Sequence, residues 1–314
     1  MKYYFIVNPA SGQSKAQTET VPLIEKLISE NPDKDIKIYY TAGRNDAAIL
    51  ADYLAKEAND EVIVFGCGGD GTLQEVANGI YGHDNATLAV VPNGSGNDFV
   101  RAIGGGLKAA HRYKNLPAQL NGNIKKMDVL KMTYEENGKT ESRIVINGIN
   151  IGFDGNSAIL ASEYKHLPFI EGTMAYVLAV AKNLIQKNGE NLRITADDKL
   201  FYEGSLLLAT AGNGGFCGGG FESCPRADLF DGLLELLVIN DVTRAVFISL
   251  VSKYKNGKIL DIKRKGLYTY SQAKKIVIEP LANPTMKFVA DGEIFETGKL
   301  TVEVVPEAIK VVEL

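Results

Sequence analysis

Val62-Ile-Val-Phe-Gly-Cys-Gly-Gly-Asp-Gly-Thr-Leu-Gln-Glu-Val-Ala-Asn-Gly-Ile80 is the stretch on which the reading of this chain turns. Residues 62–65 are continuously apolar and mostly β-branched, which predicts a buried strand; the glycines break it, and from Thr72 the apolar spacing becomes helical. Glycines without Cβ let backbone N–H groups approach a ligand, and a helix start presents unpaired donors with a partial positive charge, so phosphate suits this turn. Asp70 sits inside it. A carboxylate there would repel phosphate unless a cation lies between them or the acid serves as acid, base or hydrogen-bond acceptor.

Gly66, Gly68 and Gly71 satisfy G-x-G-x-x-G, a short and common pattern. A dinucleotide site would also need an acid at the tip of the next strand, and strand 87–91 ends instead in Pro92-Asn-Gly-Ser-Gly-Asn-Asp98. No Walker-type G-x-x-x-x-G-K-[ST] occurs. Three turn blocks do recur: Asn8-Pro-Ala-Ser-Gly12 after strand 3–7, Gly68-Gly-Asp-Gly-Thr72 after strand 62–65, and the 92–98 block. Each falls at the carboxyl end of a predicted parallel strand, where open α/β sheets bind ligands.

Around these blocks the chain alternates. A helix over about 15–30, strand 36–40 ending at Thr41, and helix 46–58 fill the intervals, so residues 1–120 read as a Rossmann-like, doubly wound α/β domain. Beyond Gly104-Gly-Gly106 and Pro117 the rhythm changes. Strands are predicted at 125–133, 140–151, 191–196, 199–211, 233–239, 273–279, 285–290, 299–304 and 309–312, with Asn137-Gly138 as a hairpin turn and helices at 157–163 and 172–186. Residues 121–314 therefore read as a β-sandwich-like domain whose last strand is a candidate to return to the first domain. The cleft between the domains is expected to hold the chemistry. The 172–186 helix is apolar nearly all round: an internal helix, or the wall of an acyl-chain pocket.

The 314 residues, 45% hydrophobic and 23% charged, suffice for two ordinary domains. Cys67, Cys217 and Cys224 show no C-x-x-C spacing, so neither a disulfide framework nor a zinc site is indicated, which fits a reducing cytoplasm. His83, His111 and His166 stand alone, as surface or packing residues. The first apolar run is too short for a signal sequence, and none approaches the roughly 18–20 residues that span a bilayer, so a soluble or peripheral protein is expected. A formal charge of −4 argues against nucleic acid as the main partner. Residues 101–126 nevertheless carry six basic side chains and no acid, and residues 253–265 carry six against Asp261. Such runs are ordinarily solvated faces; the sharper reading is contact with anionic lipid.

In order and content the three blocks resemble the diacylglycerol kinase family of lipid kinases, in particular its soluble bacterial branch, which includes sphingosine-kinase-like enzymes. Later blocks resemble it too: Asn147-Gly-Ile-Asn-Ile-Gly-Phe-Asp154, Asn213-Gly-Gly-Phe-Cys-Gly-Gly-Gly220, Pro225-Arg-Ala-Asp-Leu-Phe-Asp-Gly-Leu233 and Asp291-Gly-Glu293. The resemblance implies an NAD kinase/diacylglycerol kinase-like fold and a peripheral, cytoplasmic lipid kinase that uses ATP and Mg2+ on a lipid hydroxyl at the membrane surface. It places Asn8, Pro9, Ser11, Gly12, Thr41, Gly68, Gly69, Asp70, Gly71, Thr72, Ser95, Asn97 and Asp98 around the nucleotide, and a structural magnesium on Asp231 with Asp228 and Leu233. Glu293 becomes the proton acceptor, with Asp291 beside it and Asp70 on the nucleotide side.

Each motif has a plainer reading. Thr41 and Ser95 are also suited to helix capping, Asp231-Gly232 to a turn into the apolar run 233–239, and Asp291-Gly-Glu293 to a hairpin turn. Gln74 stands where the family usually has asparagine, and Ser95 where it has threonine. Competing functions are an NAD-kinase-like enzyme, a nicotinamide-dependent oxidoreductase and a non-catalytic lipid or nucleotide sensor. The lipid acted on and the oligomeric state, a homodimer included, are not set by these residues.

Overall fold

The computed structural model describes residues 1–12, 15–152 and 189–314. The predicted helices 157–163 and 172–186, His166 and the Phe153-Asp154 end of one motif lie outside the described residues. The chain divides into two units, Met1–Val129 with Pro306–Leu314, and Leu130–Val305.

In the first unit β1 (Lys2–Val7) leads through a π-helical turn, Ala16–Thr20, into α1 (Val21–Glu30). There follow β2 (Asp35–Tyr40), α2 (Asp46–Glu57), β3 (Val62–Gly68), α3 (Asp70–Ile80), β4 (Ala86–Pro92) and the short helices α4 (Asp98–Ile103), α5 (Ala109–Arg112) and α6 (Leu116–Leu120). The strands form a parallel sheet in the order β2-β1-β3-β4. Val7 pairs with both Tyr40 and Cys67, and Gly68 with Pro92, so the carboxyl ends of all four strands finish level. β3 and β4 are buried along their whole length, as their unbroken apolar character requires. On one face Phe5 stacks on Phe65 at 4.1 Å and packs with Ile24 and Leu27 of α1. A fifth parallel strand comes from the far end of the chain, where Lys310 and Val311 pair with Thr87 and Leu88.

The second unit is built from β5 (Asn123–Glu136), whose residues 123–129 lie in the first unit, β6 (Lys139–Val145), β7 (Gly148–Gly152), β8 (Glu190–Ala196), β9 (Lys199–Gly212), β10 (Leu234–Asn240), α7 (Arg244–Lys255), β11 (Tyr268–Ala273), β12 (Lys275–Pro280), β13 (Met286–Ala290), β14 (Glu293–Thr297) and β15 (Leu300–Glu313), whose residues 306–313 return to the first unit. Pairing runs β14-β13-β7-β9-β8-β12-β15, with β10 bridging β9 and β11 and β6 on β5. This is the β-sandwich-like domain expected from the sequence. One core gathers Tyr134, Phe288 and Phe295, with ring centroids 5.2–6.4 Å apart, among aliphatic residues of β7, β8, β9 and β12. A second lies under α7, where Phe247, Leu250 and Tyr254 meet Leu207, Leu208, Leu237 and Ile239.

Two differences from the sequence reading have physical causes. The predicted strand 140–151 breaks into β6 and β7 because the N–H groups of Ile146 and Asn147 turn to the Asp291 carboxylate. The predicted strands 299–304 and 309–312 are the single β15, which carries Pro306 and, at Glu307, a positive φ of 50°; the Glu307 N–H donates to Asp128 Oδ1 at 2.8 Å. Helix α7 was not predicted. Among the described residues no helix is long and apolar enough to cross a membrane.

Candidate active site

In the first unit the three turn blocks interlock at the carboxyl ends of β1, β3 and β4. Asn8 Nδ2 donates to Thr72 Oγ1 at 3.1 Å, the Asn8 N–H to the Cys67 carbonyl at 3.0 Å, and the Asn93 N–H to the Gly68 carbonyl at 2.8 Å. The glycines are required by these approaches. At Gly94 a Cβ would lie 2.6 Å from the Gly69 Cα, and at Gly12, where φ is +61°, 2.4 Å from the Asn93 carbonyl oxygen. Gly71 has nothing within 4 Å of a built Cβ, so packing does not demand a glycine there. Pro9 and Ser11 complete the first turn, whose Ala10 N–H is taken by Asn8 Oδ1. Thr41 follows β2, its N–H bonded to the Val7 carbonyl. Neither Thr41 nor Ser95 caps a helix: Asn45 precedes α2 and Asn97 precedes α4. Ser95 is exposed, and Asn97 closes its own loop through bonds to Gly94 N–H and C=O.

Asp70 begins α3 and directs its carboxylate at the first turn of α4, accepting the Phe99 N–H at 3.3 Å. A Cβ on Gly96 would lie 2.6 Å from its Oδ2. Its pKa is raised to about 6, first by burial and then by the Asp98 charge, with the N–H groups of residues 97–99 opposing both. Asp98, itself buried, is balanced by Arg101 at 2.7 Å, and Arg101 also donates to the Gly96 carbonyl. Arg101 was absent from the sequence-derived site; it sits one helical turn from Asp98, a spacing that could have suggested the pair.

In the second unit Asp291 and Gly292 form the two-residue turn between β13 and β14, with positive φ of 46° and 86°. Asp291 is buried and accepts three backbone donors: Ile146 N–H to Oδ2 at 2.7 Å, and Asn147 and Gly148 N–H to Oδ1 at 3.0 and 2.9 Å. It therefore fixes the β6–β7 corner. Asn213 joins the same corner through Nδ2 to the Ile146 carbonyl at 2.9 Å, so the 147, 213 and 291 blocks come together. Glu293 opens β14 and pairs with Arg143 of β6, Oε2 to Nη1 at 2.8 Å, with side-chain exposures of 12% and 23%. Arg143 was missed because one basic residue in an alternating strand gives no signal.

The 225–233 segment contains Asp228 and Asp231, each bonded to the N–H two residues on, Phe230 at 3.1 Å and Leu233 at 2.9 Å. Behind it Glu235, 1% exposed, accepts the Arg226 N–H at 2.7 Å through Oε2, while its buried Oε1 has no hydrogen-bond partner. Burial pushes its carboxyl up to about 7, opposed by Arg226 and reinforced by Asp231. An acid inside the apolar run 233–239 was a visible signal that the sequence reading passed over. Among the described residues no group of three or more His, Cys, Asp or Glu side chains is gathered for a metal.

Glycine turns interlock at the ends of the parallel strands of one unit, and an Asp-Gly-Glu hairpin joins two antiparallel strands of the other. Residues 2–132 match the diacylglycerol kinase catalytic domain, and residues 148–313 match the YegS C-terminal NAD kinase beta sandwich-like domain. Proteins of Staphylococcus aureus strains MSSA476 and MRSA252, provisionally named lipid kinases, are each 29% identical over 259 residues, 81% of this chain and 77% of theirs. Two solved structures from Bacillus anthracis str. Sterne, provisionally titled diacylglycerol kinases, superpose with TM-scores of 0.73 at 24% and 25% identity, over 100% of this chain and 97% of theirs. The chain belongs to the family defined by these two domains, a diacylglycerol kinase catalytic domain followed by a YegS C-terminal domain that spans more than half of its length.

Proposed function

We propose that this protein transfers the γ-phosphoryl group of ATP to a lipid hydroxyl, working from the cytoplasm as a peripheral enzyme. The observation that carries the reading is the interlocked turn set around the α3 N-terminus, whose first-turn N–H groups have no partner within the helix. In phosphoryl transfer the protein mainly positions groups and offsets charge. The backbone donors of 68–72, with the Gly12 N–H of the first turn, would hold the nucleotide phosphates, with Thr41, Ser95, Asn97 and Asp98 beside them and Asp70 as the acid of the nucleotide side.

Glu293 would accept the proton of the lipid hydroxyl. Arg143 fixes the direction of its carboxylate and offsets its charge, while Asp291 holds the adjoining corner rather than meeting substrate. A loose transition state leaves the hydroxyl acidic only late, so the base is needed late.

Asp228, Asp231 and the Leu233 carbonyl make an all-oxygen donor set, the chemistry magnesium takes, and the partnerless Glu235 oxygen marks the same segment as one that would accept a cation's field. A magnesium ion bound there would order the turn.

The test is a transfer assay with γ-labelled ATP and magnesium, offering mixed-micelle lipids in one tube and NAD in another. Label in an organic-phase product supports the proposal. Label on NAD would replace it with a nucleotide kinase, and bound ATP without transfer would replace it with a sensor.

A further inference from the structure

The two basic runs differ once their partners are seen. In 101–126, Arg101 is paired with Asp98, Arg112 donates to the Gly104 carbonyl and lies over Tyr113, Lys114 reaches Glu19 at 3.9 Å and Lys125 binds Glu313 at 2.6 Å. That run is largely consumed within its own unit. In 253–265 every cation is exposed, and among the described residues none of Lys253, Lys258, Lys263, Arg264 or Lys265 makes an ion pair; Lys255 lies over the Phe221 ring.

This second run continues α7, which contains no acid. The inner face of the helix is pinned by Phe247, Leu250 and Tyr254, and its end is closed by the Lys258 N–H to Lys253 carbonyl bond, with Gly257 at φ +66°. Ile259 and Leu267 are buried and anchor the basic loop at both ends. What remains outward is Ala245, Ile248, Ser249 and Ser252, one stripe at helical spacing with Ile248 60% exposed, bordered by the lysines. A helix whose outer face carries an exposed isoleucine among small residues, beside a rim of cations without ion pairs, complements a surface that is negative outside and apolar just beneath.

We infer that α7 and the 256–265 loop form a docking surface for an anionic phospholipid bilayer. The choice of a membrane rather than another polyanion rests on the lipid-kinase reading; the local charge, +5 over 253–265 in a chain of −4, stands without it.

The experiment is co-sedimentation of the full-length protein with phosphatidylcholine vesicles, with and without 30% phosphatidylglycerol, at low and high salt. Wild type should bind only the anionic vesicles and be released by salt. Lys258→Glu/Lys263→Glu/Arg264→Glu should weaken binding at least about 30-fold, since each cation near such a surface contributes several-fold, and Ile248→Ser should weaken it severalfold. All variants should keep wild-type melting curves. In detergent micelles, where docking is unnecessary, turnover should be unchanged. Equal vesicle binding by the triple variant would overturn the inference, as would tight binding to a short RNA with the anionic vesicles ignored. If wild type phosphorylates no lipid yet binds vesicles through this face, the kinase reading fails while the docking surface stands.

Discussion

Asp70→Asn should make this protein more stable and much less active at once. In the fold the Asp70 carboxyl holds its proton up to about 6, against 3.8 in the unfolded chain, chiefly through burial and then through Asp98. The folded state therefore binds the proton more tightly, so wild-type stability falls as pH rises from 3.8 to about 6 and stays lowered above that. Two pH units are worth roughly 3 kcal/mol; because Asp70 is only partly buried, solvent screening reduces this to about 2 kcal/mol. Asparagine cannot ionise, keeps an oxygen for the Phe99 N–H and offers an amide to Asp98. At pH 8 the variant should gain about 2 kcal/mol, a rise of about 5 °C in the melting of the first unit. The gain should shrink as pH falls below 6 and vanish below about 3.8. Thermal melts of both proteins across that range measure it, while the transfer assay should show a loss of at least about 100-fold. A variant less stable than wild type at pH 8, or a gain equal at every pH, would refute the assignment of a carboxyl that burdens the fold once ionised.

Asp291→Ala should destabilise the second unit by at least about 3 kcal/mol in urea titrations, because three backbone N–H groups lose their acceptor; a stable but inactive variant would instead make Asp291 part of the chemistry. Gly94→Ala places a Cβ 2.6 Å from the Gly69 backbone, so it should cost about 1–3 kcal/mol and weaken ATP binding at least about tenfold by calorimetry. Glu235→Gln should stabilise the protein by about 2–3 kcal/mol at pH 8.5. That gain should disappear below about 4.5, since the raised carboxyl burdens the fold only once ionised.

Much of this was legible in the sequence where physics is local. Nearly continuous apolar runs mark β3 and β4, and the glycine blocks stand at strand ends because only glycine tolerates contacts such as Gly94 against Gly69. What stayed hidden depends on partners distant in the chain. Nothing near Asp291 announces that it satisfies residues 146–148, and nothing near Arg143 announces Glu293, 150 residues away. α7 escaped because apolar residues such as Val246 and Ile248 stand beside its buried stripe and blur it, although Phe247, Leu250 and Tyr254 already carried the helical spacing. Which cations are free was likewise unreadable, since the partners of residues 101–126 lie as far off as Glu19 and Glu313.

The most direct measurement is single-turnover transfer of labelled phosphate from ATP to micellar lipid by wild type and by Glu293→Gln, with ATP affinity measured alongside. The account predicts an organic-phase product from wild type, a rate at least about 100-fold lower in the variant, and unchanged ATP binding. Equal rates, or label found only on NAD, would contradict it.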